Sequence, residues 1–239
     1  MGFAEKLRVW MPHELNEDDK ENRLQIASQH LARHRTTRGH KQRFLYRIVT
    51  EDENWCLFMN MKQRKEWFTP GDTPKSRVKP DLHPKKAMVR FWWDWEGMVY
   101  CEMFGRNVTV TKVLYIAQLH RVKEAMGLKR PHQQSQTIHP RDNARRHVAQ
   151  VVKATFQELE WEVLQHPSYS PDLAPTDQHL FRSLSNHMRG VTSDNEEDLK
   201  NCLDNLFVTR LGDFWRNGIE KLVKRWEEVV NDNGECIIG

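Results

Sequence analysis

Apolar positions in the first half of the chain predict one helix followed by three extended segments. Apolar residues recur at helical spacing over 17–35, which predicts a helix there. The β-rich run 44–50 predicts a first strand that leads to Asp52, and residues 55–59 continue it in extended form. The runs 87–93 and 98–104 flank Glu96-Gly97 and predict two strands around a turn.

The second half alternates helical stripes with short apolar runs. The short runs at 137–138 and 161–164 predict two strands, although Pro140 argues against a full central strand at the first of them. Thr176 is the expected N-cap of a helix that begins at Asp177. The other predicted helices lie at 110–126, 146–160, 194–209 and 213–230.

This order of elements indicates an α/β fold. Three antiparallel strands followed by helix–strand crossovers build a mixed five-stranded sheet with helices on both faces. The first and fourth strands would then be neighbours. Function in such sheets gathers at strand ends, where loops converge.

Composition limits the class of protein. The 239 residues suffice for one well-packed domain, and a mean hydropathy of −0.80 with no apolar run near 18 residues argues against a membrane protein. Residues 1–10 contain no apolar core of a secretory signal. The four cysteines are scattered without a C-x-x-C pair, so thiols are expected rather than disulfides or zinc.

Positive charge is concentrated in one segment. Between Lys62 and Arg90 there are nine Lys or Arg against three acids, a net charge of +6 where the whole chain carries +4. Pro and Gly punctuate the same segment and indicate a long loop. A phosphate-facing surface is the favoured interpretation, and a solvated loop is the alternative.

Three aspartates carry the candidate chemistry: Asp52, Asp142 and Asp177, with 34 residues between the second and the third. Each lies near the predicted end of a strand or the start of a helix, so the fold can bring them together. Carboxylate oxygens suit Mg²⁺, and two such ions can serve phosphodiester cleavage. Taken singly, Asp177 could instead favour a helix N-terminus, and Asp142 with Asn143 could form a turn.

Other polar and aromatic clusters have weaker interpretations. The histidines, among them His139 and His179, follow no zinc-ligand spacing and are expected to be structural. The tryptophans at 92, 93 and 95 could stack on bases, but strand alternation favours the core for at least one of them. Arg145 and Arg146 could bind phosphate or begin a solvated helix.

Several motifs resemble one family and together cover nearly the whole chain. They are Trp10-Met11-Pro12-His13-Glu14-Leu15, the run from Arg47 to Trp55, His83-Pro84-Lys85-Lys86, Asp142-Asn143-Ala144, Tyr169 through Phe181, and Gly218 through Trp226. The chain resembles the catalytic half of mariner-type DNA transposases, which have an RNase H-like fold. The spacing of 34 residues is specific to mariner elements.

The resemblance implies a nuclear enzyme that cuts DNA at transposon ends and joins the 3′-hydroxyl to target DNA. Asp52, Asp142 and Asp177 would hold two Mg²⁺ or Mn²⁺ ions, and the enzyme would be a homodimer with no membrane association. Residues 1–43 would form an interdomain linker and helical segment, with dimer contacts at Trp10, Pro12, His13, Glu14 and Leu15. Residues 44–239 would form the catalytic domain, with a basic clamp loop at about 60–86. The expected DNA-binding residues are Lys62, Arg64, Lys65, Lys75, Arg77, Lys85, Lys86, Arg145 and Arg146.

The sequence also departs from the family pattern. It begins at the linker, so we expect no helix-turn-helix modules. Glu51, Arg141 and Gln178 replace residues that are usual there, and we hypothesise weakened activity. The alternatives are a catalytically degraded DNA-binding or dimerisation module, and an RNase H-like nuclease acting on another nucleic acid.

Overall fold

The computed structural model describes residues 14–37, 44–60, 84–105, 108, 110–133, 137–141 and 150–237. None of the helices in these ranges is long and apolar enough to cross a membrane. The helices are α1 (Glu17–Thr37), α2 (Lys112–Lys129), α3 (Gln150–Glu158), α4 (Arg182–Met188), α5 (Glu196–Val208) and α6 (Gly212–Asn231). The strands are β1 (Thr50–Leu57), β2 (Lys86–Trp93), β3 (Met98–Met103), β4 (Ile138–Arg141) and β5 (Glu162–Gln165).

Two ladders of strands form the centre of the molecule. β1, β2 and β3 pair antiparallel in that order, and β4 pairs parallel with β5. A single parallel bridge between Ile48 and Ile138 joins the ladders, with the Val49 N–H donating to the Ile138 carbonyl over 2.8 Å. The α/β class and the adjacency of β1 and β4 are therefore confirmed. The sheet consists of three-stranded and two-stranded ladders rather than one ladder of five strands.

Pro140 explains why β1 and β4 share so short a contact. The carbonyls of Thr137 and Arg141 accept hydrogen bonds from the β5 side, whereas the carbonyl of Ile138 accepts from Val49. Alternation along β4 therefore turns the backbone of Pro140 toward β1, where proline has no N–H to donate. β4 forms as a strand despite its proline, but its pairing with β1 stops there.

The expected strand over 44–50 is wrong in its bounds. Phe44–Arg47 forms a 3₁₀ helix, and β1 begins at Thr50. Phe44 and Leu45 are 1% and 3% exposed and enter the same hydrophobic core, whereas consecutive side chains of a strand point to opposite faces. As a result Asp52 lies inside β1, paired with Phe91, and not beyond the end of a strand.

Both faces of the central strand β2 are covered. Phe91 and Trp93 belong to the core shared with α1, α5 and α6, while Trp92 belongs to a second core with α2 and α3. Trp92 and Trp93 are fully buried, which confirms their structural interpretation. The sheet thus lies between two hydrophobic cores.

A buried ion pair fastens α1 to the rest of the fold. Arg23 and Asp172 form two hydrogen bonds of 2.9 and 2.6 Å, and Arg23 is fully buried. The remaining donors of Arg23 reach the Ser170 hydroxyl and the carbonyls of Gly234 and Glu235. Every N–H of this guanidinium is therefore satisfied, as a buried arginine requires.

Candidate active site

Two of the three candidate aspartates face one cleft of about 260 Å³. Asp52 enters it from β1, and Asp177 enters it from a π-helical turn, Thr176–Phe181, that leads directly into α4. Both side chains are half-buried, and their carboxyl groups lie close enough to shift each other's pKa. The fold thus brings together residues 125 positions apart in the sequence, as the metal-site interpretation predicted.

A buried polar cluster lies beside the two aspartates. The hydroxyl of Thr176 accepts a hydrogen bond of 3.1 Å from Trp93 Nε1 and lies 3.3 Å from the hydroxyl of Thr50. The expected N-cap role of Thr176 is wrong, because Thr176 is fully buried inside the turn and Pro175, already helical, precedes it. Its side chain points to the sheet, where it aligns the turn that carries Asp177.

The electrostatics of the cleft disfavour two ionised carboxylates. Burial and then the negative charges of Asp177 and Glu51 raise the pKa of Asp52 to about 8, against a hydrogen bond from the Glu53 N–H that lowers it. Burial also raises the pKa of Asp177, to about 6, although its hydrogen bond with Asp52 opposes the change. A cation between the carboxyl groups would relieve both the desolvation and the repulsion.

Glu51, which departs from the family pattern, is held by a buried arginine. The Arg90 guanidinium lies 3.3 Å from the Glu51 carboxylate and 2.5 Å from that of Glu53, and it also donates to Gln118. Burial opposes the charge of Arg90, but Glu51 and Glu53 outweigh it, and the pKa of Arg90 is raised. The two glutamates that flank Asp52 therefore have a cation of their own.

Asp142 lies outside the described residues, which stop at Arg141 and resume at Gln150. Arg141 lines the cleft, and its guanidinium lies 5.4 Å from the centre of the Phe156 ring. Competition of Arg141 with a metal ion stays a prediction, as does the contribution of Asp142.

Lys85 and Lys86 lie far from the cleft along the sheet. Lys86 pairs with Leu57 and Phe91 pairs with Asp52, so five residues separate the two positions, about 17 Å at the usual rise of a strand. The ammonium groups lie over the rings of Phe58 and Trp55, each at 4.2 Å. These lysines can contact DNA only beyond the cleft itself.

Of the remaining expected DNA-binding and linker residues, the structure describes Glu14 and Leu15. Leu15 is buried next to α1 and Glu14 is exposed. The positions outside the described residues are Trp10, Pro12, His13, Lys62, Arg64, Lys65, Lys75, Arg77, Arg145 and Arg146. Their roles, and the division of the chain at residues 43 and 44, stay predictions.

The structural interpretation of the histidines is confirmed at two positions. His139 Nδ1 lies 3.0 Å from the Val49 carbonyl, and its ring stacks on Trp92. His179 Nε2 lies 2.8 Å from the Phe214 carbonyl. In the part of the chain that the structure describes, no group of three or more His, Cys, Asp or Glu could hold a metal.

Comparison with known proteins decides the family. A family model described as "Transposase (partial DDE domain)" matches residues 57–136. The Mariner Mos1 transposase of Drosophila mauritiana is 39% identical over 240 aligned residues, which cover 99% of this chain and 68% of that protein. The chain belongs to the mariner transposase family.

Other relatives of this mariner transposase chain agree. Histone-lysine N-methyltransferase SETMAR of Homo sapiens is 36% identical over 98% of this chain, which spans 34% of that protein. The crystal structure of the catalytic domain of Mos1 superposes with a TM-score of 0.79 at 36% identity, covering 96% of this chain and all of that one. A Mos1 paired end complex with Mn gives a TM-score of 0.91 at 39% identity, covering 100% and 69%.

These findings confirm the family and the RNase H-like class inferred from the motifs. The enzyme class is that of a DNA transposase with a three-carboxylate catalytic domain, and neither alternative function is favoured. Sequence reasoning missed the cluster of Thr50, Thr176 and Trp93, because no local pattern marks a side-chain contact between distant elements. The motif from Tyr169 through Phe181 gave Tyr169 no separate role, whereas the residue is exposed at the edge of the cleft with a left-handed φ of 54°.

Proposed function

We propose that this chain cuts and joins DNA phosphodiester bonds at the cleft between β1 and the π-helical turn, with Asp52, Asp142 and Asp177 as the ligands of two divalent ions. The convergence of the Asp52 and Asp177 carboxyl groups on one cleft carries the proposal. Two half-buried acids that share a cleft are costly unless a proton or a cation lies between them.

The residues of the cleft fit Mg²⁺ or Mn²⁺. The cleft offers carboxylate oxygens, the ligands that hard divalent cations prefer, beside the imidazole of His166, and its described lining contains no cysteine. Structures of the Mos1 relative with Mn and with Mg support the same choice. Asp142 directly follows Arg141, which lines the cleft, so a third carboxylate from that position is consistent with the chain path.

The side chains would position the metal ions, and the ions would supply the chemistry. Asp52, on a strand between two cores, and Asp177, on a turn tied to Trp93 through Thr176, hold their carboxylates in a fixed relation. Bound divalent ions would activate the attacking oxygen and neutralise charge on the phosphate and the leaving oxygen. In cleavage, water would form the new bond to phosphorus and the 3′-oxygen would leave with a proton. In joining, a 3′-hydroxyl would lose its proton and form the new bond to a target phosphate, and the 3′-oxygen of the target strand would leave.

The proposed partners follow from the relatives. Mos1 structures include a paired-end complex with the left transposon end and a strand transfer complex. We assign DNA ends and target DNA to this chain as substrates, together with assembly as a homodimer and a nuclear location. The replacements Glu51 and Arg141 predict cleavage weaker than that of a relative with the usual residues.

Nicking of supercoiled plasmid in Mn²⁺ tests the proposal. The wild-type chain should nick DNA, and Asp52→Ala, Asp142→Ala and Asp177→Ala should each reduce nicking by at least about a hundredfold, since each removes a metal ligand. Asp213→Ala, on an exposed side chain of α6, is the control and should keep full activity. Equal nicking by wild type and all three ligand variants would refute the assignment.

A further inference from the structure

A second groove, of about 690 Å³, lies on the side of the molecule formed by α4 and α6. Positively charged residues predominate in its lining. Five of its lining residues are Lys or Arg, and Glu228 is the one acid among the described residues that line it. The five cationic residues are Arg182, Arg210, Lys221, Lys224 and Arg225.

The sequence scatters these cations over 44 positions, and the fold gathers them. On α6, Lys221, Lys224 and Arg225 occur at spacings of three and four and share one face of the helix. Arg210, in the turn between α5 and α6, is held by the Ser183 hydroxyl of α4 at 2.7 Å. The groove thus has a cationic wall on each side.

The groove is connected to the catalytic cleft through Gln178, the residue after Asp177. The Gln178 side chain donates to the Pro171 carbonyl over 3.4 Å, and Pro171 lines the cleft. From the groove side, Arg225 donates to the Gln178 side chain over 3.3 Å and to the Asp172 carbonyl over 2.8 Å. The groove and the cleft are therefore adjacent, and an extended polyanion bound in the cleft can also reach the groove.

We propose that this α4–α6 groove binds the phosphodiester backbone of the DNA that enters the catalytic cleft. The inference rests on the proposed function, because it states where DNA bound in the catalytic cleft also contacts the surface of the protein. Arginine forks suit phosphate oxygens, and two exposed lysines at the rim add charge without a fixed geometry. The groove has no base-reading role in this proposal, so its contribution is independent of DNA sequence.

Fluorescence anisotropy with a labelled duplex, in EDTA, tests the groove without the metal site. The pair Lys221→Gln with Lys224→Gln should weaken binding by about tenfold or more at moderate salt, with a log–log salt slope smaller by about 1.8. The matched control is Lys112→Gln with Lys200→Gln, exposed lysines that line neither the groove nor the cleft and carry the same total charge. Control binding should stay close to that of the wild type.

Three results would overturn the inference: equal affinities of the groove pair and the control pair, an unchanged salt slope, or equal competition by poly-glutamate of matched charge. Arg182→Gln with Lys224→Gln, which alters both walls, gives a second variant, and thermal unfolding confirms that each remains folded. Plasmid nicking by the wild type is measured separately. Nicking with no effect of the groove pair refutes only the groove, and groove-dependent binding without nicking refutes only the proposed catalysis.

Discussion

The hydroxyls of Thr50 and Thr176 lie 3.3 Å apart, although 126 positions separate them. Each belongs to the element that carries a candidate catalytic aspartate: Thr50 precedes Asp52 by two positions, and Thr176 directly precedes Asp177. Trp93 Nε1 donates to the same Thr176 hydroxyl from the neighbouring strand. The contact fixes the relation between strand and turn, and with it the relation between the two carboxylates.

Thr176→Val tests this contact. The substitution keeps the shape of the side chain but leaves the buried Trp93 N–H without its acceptor, which should cost about 1–3 kcal/mol of unfolding free energy. Urea unfolding measures the loss, and plasmid nicking should fall as the turn loses its alignment. Thr176→Ser keeps the hydroxyl and is the control. Equal stability and activity of the two variants would contradict the positioning role.

The raised pKa of Asp52 predicts how stability changes with pH in the absence of metal. In the unfolded chain the carboxyl loses its proton near pH 3.8, whereas in the folded chain it keeps the proton up to about pH 8. The folded state binds more protons in this window, so wild-type stability should fall as pH rises from about 4 to 8.

Asp52→Asn should remove this loss. Its melting temperature should exceed that of the metal-free wild type by several degrees at about pH 8, and the two should converge near pH 4. Mn²⁺ should raise the wild-type melting temperature most at the upper end of the window and should have little effect on the variant. Asp213→Asn, with an 81% exposed side chain, should follow the wild type.

The sequence predicted those parts of the fold that repeat locally. Amphipathic stripes placed α1, α5 and α6 within about two residues of their ends, and strand alternation identified β2 and β3. It failed at 44–50, where consecutive buried residues form a 3₁₀ helix. The meeting of Asp52 and Asp177 followed from the order of elements, but the α4–α6 groove did not, because its cations come from three separate segments.

The buried pair of Arg23 and Asp172 should be among the most sensitive polar contacts of the chain. Arg23→Met leaves the Asp172 carboxylate buried without its partner and should cost about 3–5 kcal/mol in urea unfolding. Adding Asp172→Leu to that variant should restore part of the stability, because no unpaired charge then remains buried at this site. Arg216→Met breaks an exposed pair with Asp213 and should change stability by no more than about 0.5 kcal/mol.

At Gly218, helix α6 packs closely against the side chains of Trp93 and His179. A Cβ at this position would lie 2.6 Å from His179 Cδ2 and 2.7 Å from Trp93 Cη2, closer than side chains tolerate. Gly218→Ala should therefore destabilise the protein by about 1–3 kcal/mol, although alanine is the better helix former.

Gly212→Ala on the same helix provides the matched control for Gly218→Ala. Apart from its chain neighbours and the backbone of its own helix, no described atom lies within 4 Å of a Cβ built at Gly212, so alanine there should be neutral or should stabilise by up to about 1 kcal/mol. Opposite signs of the two changes in urea unfolding would assign the cost at Gly218 to the close approach of Trp93 and His179. Since Trp93 also holds Thr176, Gly218→Ala should reduce plasmid nicking while Gly212→Ala leaves it unchanged. A loss of nicking in both variants would show that helix α6, and not the contact with Trp93, limits activity.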